Sequence, residues 1–169
     1  MPIIQSVEVT AVSVPLDHVT SFSTRTVSER HYCLVKVRSK DGHEGIGFCY
    51  VGSAAGELVK LAVEQLFAPK LIGQDSHRTE GIWQEMYTDS ILQGRSGSVM
   101  RAISILDIAL WDLNAHSVNL PLHRYLGSFV NDRVPAYASG GYYLDGKTPA
   151  KLGKEMEGYV KLGFKAVKM

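Results

Sequence analysis

Polar and apolar residues alternate from Ile3 onward, with Val7, Val9 and Ala11 on one side, the period of a strand with one buried face. The phase changes before Val12 and Val14, where a β-bulge is expected. Residues 15–30, with Ser21, Ser23, Thr24, Thr26 and Ser28, keep neither a strand nor a helix period and read as a long, mobile loop. Alternation returns over Tyr32–Arg38 and Glu44–Val51, on either side of Asp41-Gly42, which predicts a hairpin and, with the first segment, a three-stranded antiparallel sheet. A two-residue loop there pairs Cys33 with Tyr50 and Leu34 with Cys49. That register sets the cysteines on opposite faces and argues against a disulfide.

After Gly52 the period shifts to that of helices. The first is predicted over 54–67, burying Leu58, Leu61, Ala62 and Leu66 and closed by Pro69. The second starts at Asp75 or Ser76, either of which can cap it, and buries Ile82, Trp83, Met86 and Tyr87. Gly94-Arg95-Ser96-Gly97 interrupts the pattern. The third helix, 98–116, is apolar nearly all round through Ile103, Ile105, Leu106, Ile108, Ala109, Leu110, Trp111 and Leu113, as a central buried helix should be.

Pro121 and Gly127 end this region, and a polar connector places a domain boundary near residue 130. Beyond it, 134–139, 148–163 and 164–169 have the pattern of a strand, a crossover helix and a parallel strand. Parallel strands are buried on both faces, and a parallel barrel closes only with about eight strand–helix units. The expectation is therefore an α+β domain over 1–130 followed by the truncated opening of a (β/α) barrel over 131–169.

Charge narrows the partners. With 18 Lys and Arg against 17 Asp and Glu, the chain has no net field to draw nucleic acid or an anionic membrane surface. The N-terminus lacks the basic and apolar segments of a secretory leader, and no run approaches about 20 apolar residues, so a cytoplasmic protein is expected.

Several residues are candidates for chemistry, each with an ordinary alternative. Lys168 shares a strand face with Ala166, opposite Lys165, Val167 and Met169; if the apolar pair faces outer helices, the lysine points inward. There it is paired, neutralised or functional, unless its head reaches solvent at the barrel mouth. Ser139 ends the first barrel strand, on the side where such folds bind ligands, and Gly140-Gly141 would let a substrate approach the backbone; turn residues have the same composition. Arg25, beside Phe22, suits a carboxylate or a solvated loop. Asp112 and His116 have the spacing of helical metal ligands, without a third ligand nearby. Asp107 points elsewhere and is expected to bond backbone groups or an arginine, Arg95 or Arg101. Gly45-Ile46-Gly47 lies inside a strand, without the following helix that a dinucleotide site needs.

The stretches Lys40–Gly47, Gly94–Gly97, Ala102–Asp112, Leu120–Leu122 with Leu126-Gly127, and Gly163–Lys168 resemble, in order and spacing, the mandelate racemase and muconate lactonizing enzyme branch of the enolase superfamily. The resemblance implies an enolase-like N-terminal capping domain followed by a modified (β/α) barrel. Two cap loops, here about Asp17–Arg30 with Phe22 and Arg25, and Tyr50–Ala55 with Tyr50, would close over the barrel mouth and bind substrate. Lys168 matches the first lysine of the family's Lys-x-Lys motif, which sets the pKa of the second and meets the substrate carboxylate. Ser139 matches a position that contacts that carboxylate in some relatives. The resemblance further implies Mg²⁺, held by residues outside this chain, and a homo-oligomer when intact. The substrate class it implies is a small carboxylate, most closely a sugar acid undergoing dehydration; racemisation, epimerisation, cycloisomerisation or a non-catalytic cap module are the alternatives.

Overall fold

Three strands open the chain: β1 (Ile4–Phe22), β2 (Arg25–Ser39) and β3 (Glu44–Tyr50), an antiparallel sheet in the order β1-β2-β3. The structure, a computed structural model, describes residues 1–22, 24–127 and 133–169, without the Phe22 side chain. The boundary expected near residue 130 lies outside the described residues. By internal contacts the chain divides into two units, Met1–Val14 with Arg30–Ser128, and Pro15–Glu29 with Phe129–Met169.

The expected mobile loop is instead the outer part of β1 and β2. Most described side chains between 15 and 30 are exposed, so no hydrophobic alternation marks them, while Val19, Thr20, Thr26 and Val27 favour extended backbone. The phase change at Val12 has a similar cause. Val7 and Val9 pack on the core, whereas Glu8, Thr10 and Val12 line the outer face with Leu34, Ile46 and Phe48, so no bulge is needed between Glu8 and Val12.

The second hairpin differs from expectation by one position. The Ser39 N–H donates to the His43 carbonyl (2.9 Å) and the Gly42 N–H to the Ser39 carbonyl (3.1 Å), leaving Lys40-Asp41-Gly42 as the loop. Gly42 takes φ 89°, the left-handed position that closes a three-residue loop. Cys33 consequently faces Cys49 and Leu34 faces Phe48. Directly opposed residues share a sheet face, so the cysteines are neighbours rather than on opposite sides; both are free, and burial pushes the Cys33 thiol up to about 11.

Helical chain follows as α1 (Gly56–Ala62), a π-helical turn (Val63–Phe67) and α2 (Ala68–Leu71). Pro69 does not close the helix. It sits in the first turn of α2, after the widened turn, where a missing N–H and a bulky ring are tolerated. The buried stripe is Val59, Ala62, Val63, Phe67 and Leu71; Leu58 and Leu61 are 57% and 54% exposed. The segment carries two apolar stripes, and the one that holds Phe67 and both valines faces inward.

Helix α3 (Thr79–Asp89) begins later than expected. Asp75 accepts the His77 N–H in a preceding turn, and Ser76 is buried against Asn114, whose amide also reaches the Thr79 hydroxyl (3.1 Å). Ile82 and Met86 are buried as expected, Trp83 and Tyr87 only half-buried. Helix α4 (Gly97–Ser117) is the centre of the core, with Ala102, Ile103, Ile105, Leu106, Ala109, Leu110 and Leu113 buried. Its enclosure is not complete: Ile108 is exposed, and Asp107 and Trp111 are half-buried. A short helix, α5 (Leu122–Tyr125), follows Pro121.

Helix α4 lies directly on β3. A β-carbon on Gly45 would stand 2.1 Å from the Ala109 carbonyl oxygen, and one on Gly47 2.1 Å from that of Ile105. The Gly-x-Gly of this strand therefore serves backbone-to-backbone packing.

The second unit contains β4 (Ala138–Ser139), α6 (Pro149–Lys161) and β5 (Val167–Lys168), with β4 and β5 parallel. The Thr148 hydroxyl accepts the Lys151 N–H (3.3 Å) and caps α6. Among the described residues no helix is long and apolar enough to cross a membrane.

Candidate active site

The crossover β4–α6–β5 fixes a register in which Ala138 faces Val167 and Ser139 faces Lys168. Two backbone bonds hold it, from the Ala138 N–H to the Ala166 carbonyl (3.1 Å) and from the Gly140 N–H to the Lys168 carbonyl (2.9 Å). Ala138 is buried and Val167 half-buried, whereas Ser139 and Lys168 are exposed. Alternation thus puts the polar pair together on the open face of the two strands, and Lys168 is solvated here rather than enclosed. Met169, expected against outer helices, is 76% exposed. Neighbouring strands run about 4.8 Å apart, and the hydroxyl and the ammonium on this face are both hydrogen-bond donors.

The chain leaving β4 is anchored to α6. Glu155 accepts from the Lys147 ammonium, from the Gly141 N–H (3.0 Å) and from the Tyr159 hydroxyl (3.0 Å). These donors, the Lys147 ammonium first, hold its carboxyl down at about 2, so the anchor stays charged through the neutral range. Gly140 and Gly141 have a packing reason of their own. A β-carbon on Gly140 would stand 2.2 Å from the Tyr159 hydroxyl oxygen, and Gly141 sits at φ 78° against Met169. The space expected for a substrate at Gly140 is occupied by Tyr159. Sequence reasoning missed this anchor, for which the only local signal is the four-residue spacing of Glu155 and Tyr159.

The other candidate residues belong to both units. Arg25 is exposed on β2 in the second unit, and the Phe22 side chain lies outside the described residues. Tyr50 belongs to the first unit, 44% exposed, its ring 5.6 Å from that of Tyr32. Its carbonyl accepts from the Arg101 guanidinium, which is therefore not the partner of Asp107. Arg95 is not that partner either; it stacks 4.5 Å over Tyr87. Burial pushes the Asp107 carboxyl up, with the Trp111 side chain one turn along α4 acting in the opposite direction.

Asp112 and His116 serve the sheet. β3 is an edge strand, and its outward groups are bonded by α4: the Ile46 N–H donates to Asp112 (2.9 Å), and His116 Nδ1 lies 2.7 Å from the Glu44 carbonyl oxygen. Among the described residues no group of three or more His, Cys, Asp or Glu side chains is placed to hold a metal ion. The described residues therefore do not build a Mg²⁺ site. Asp112→Ala should lower stability by about 1–2 kcal/mol, the cost of leaving the Ile46 N–H without its charged acceptor. Urea unfolding checks this, and a melting temperature that instead follows added divalent metal would make the pair a ligand site.

Residues 4–127 match the family described as mandelate racemase / muconate lactonizing enzyme, N-terminal domain. An arabinonate dehydratase of Saccharolobus solfataricus is 33% identical over 134 residues, covering 79% of this chain and 35% of the relative. A 3,6-anhydro-alpha-L-galactonate cycloisomerase of Streptomyces coelicolor is 35% identical over 136 residues, 80% of this chain and 37% of the relative. The crystal structure of L-talarate/galactarate dehydratase from Salmonella typhimurium LT2, liganded with Mg and L-lyxarohydroxamate, superimposes with a TM-score of 0.88 at 28% identity, over 98% of this chain and 43% of that one. The chain spans about a third of the length of these two curated relatives.

Proposed function

Because the chain belongs to the mandelate racemase / muconate lactonizing enzyme family of the enolase superfamily, we propose that it forms the cap and opening barrel strands of a sugar-acid dehydratase. In this reading the intact enzyme takes the proton α to a carboxylate and expels water from the neighbouring carbon, with Mg²⁺ held by residues beyond this chain. It works as a homo-oligomer in the cytoplasm. Dehydratases and a cycloisomerase among the relatives support a lyase or isomerase of this chemistry.

The observation that carries the reading is the pairing of Ser139 with Lys168. The Ser139 hydroxyl and the Lys168 ammonium seat the substrate carboxylate and orient the α C–H toward the base, which the resemblance gives as the second lysine of the Lys-x-Lys motif. Lys168 also places positive charge close to that base, and like charge lowers an amine's pKa. The α proton becomes acidic only when the carboxylate's growing charge is stabilised, so a cation at this position favours the transition state over the ground state. The test is turnover of a sugar-acid series by the intact enzyme with and without Lys168.

Phe22, Arg25 and Tyr50 select the substrate in this proposal, as residues of segments that cover a site without entering its chemistry. Arg25→Ala should change the ratio of kcat/KM between sugar acids by about tenfold, the loss of one charge-assisted contact. An equal fall for every sugar acid would remove Arg25 from the specificity determinants.

A further inference from the structure

In the first unit, α3 and α4 frame a surface concavity of about 580 Å³, lined by Glu80, Gly81, Trp83, Gln84, Asp107 and Trp111. Its size is that of small-molecule sites, about 300–1,000 Å³. The chain has two tryptophans, and both line it. Asp107 is half-buried and stands four residues before Trp111 on α4, and a carboxylate accepts about four hydrogen bonds. Arg78, whose Nη2 lies 3.5 Å from a β-carbon built on Gly81, is engaged by Gln74 (2.8 Å) and Glu85 (3.0 Å).

The lining decides the ligand class. Two carboxylates line it, and the one guanidinium beside it, Arg78, is already bonded to Gln74 and Glu85, so the lining disfavours a sugar acid. A metal ion needs more ligands than are gathered here, since no group of three exists among the described residues. What remains is a cation with carbon surface, for which indole faces are the best aromatic partners. We propose that this concavity binds the guanidinium or ammonium group of a small organic cation. Asp107 accepts its N–H groups, Glu80 adds negative charge at the rim, and Trp83 and Trp111 hold its apolar part.

Tryptophan fluorescence of the protein reports on the site directly. Titration with methylguanidinium chloride at constant ionic strength should change the emission saturably. Asp107→Asn, which keeps the shape and removes the charge, should weaken binding at least about tenfold, and Glu80→Gln, at an exposed position, about two- to threefold. An identical response to sodium chloride, or saturation unchanged in both variants, would overturn the proposal. So would saturable binding of a neutral sugar such as glucose that ignores the Asp107 charge. Should Asp107→Asn fail to fold, an unchanged affinity in Glu80→Gln alone is taken as overturning it.

Discussion

Replacing Lys168 by alanine in the intact enzyme should lower kcat by about 10²–10⁴-fold, the range for losing a positioned group that acts in proton transfer or on developing charge. The strand should survive the change. Lys168 is exposed, β5 is held through the Lys168 carbonyl and the Ala138 N–H, and neither bond uses the side chain. Ser139→Ala should act differently, raising KM by about tenfold or more with a smaller effect on kcat, because a hydroxyl bonded to a carboxylate contributes to substrate and transition state alike. The split between the variants is the informative readout. Equal losses in KM alone would make both residues simple carboxylate binders. A Lys168→Ala enzyme within a few-fold of wild type would end the proposed role and favour a non-catalytic use of this strand pair.

The Ser139–Lys168 pairing is legible in the sequence because two strands joined by a crossover helix run parallel and most often lie side by side. Asp112 and His116 show the opposite case. Their spacing on α4 is real, but the same spacing that presents two ligands to a metal also presents a carboxylate and an imidazole to alternate groups of an edge strand. Only the neighbour tells them apart, and it lies more than 60 residues away in the chain. Residues 15–30 escape the pattern for a related reason: hydrophobic period reports burial of one face, and a ribbon with most of its side chains exposed shows little period. The first helix offered two apolar stripes, and tertiary packing chose the one with Phe67. The Glu155 anchor left almost no trace, since a lysine, a backbone N–H and a tyrosine converge on it from three places in the chain.

Gly47→Ala should destabilise the first unit by about 3 kcal/mol or more, at the severe end of overpacking, and lower its melting temperature by roughly 10 °C. The reason is the atom that the new methyl would meet. Side-chain clashes relax by rotation, but a β-carbon on Gly47 would stand 2.1 Å from the Ile105 carbonyl oxygen and 3.0 Å from its carbon, both backbone of α4. The helix has to lift from the sheet, and lifting it stretches the Ile46–Asp112 and Glu44–His116 bonds along the same edge. Gly45→Ala should behave alike, against the Ala109 carbonyl and the Leu113 amide. Gly153→Ala provides the contrast. It lies on an exposed face of α6 with nothing within 4 Å of its β-carbon, so there alanine should be neutral or stabilise by about 0.5–1 kcal/mol through helix propensity. Thermal melts of the three variants separate the cases, and a Gly47→Ala protein that melts with the parent would mean that α4 does not sit on β3 at this distance. If Tyr50 selects substrate as proposed, the consequence reaches function, because Tyr50 ends this strand and is tied to α4 through Arg101. A helix displaced from the glycines carries the Tyr50 end of the cap with it, so in the intact enzyme the same variants should lose substrate discrimination at temperatures where they remain folded.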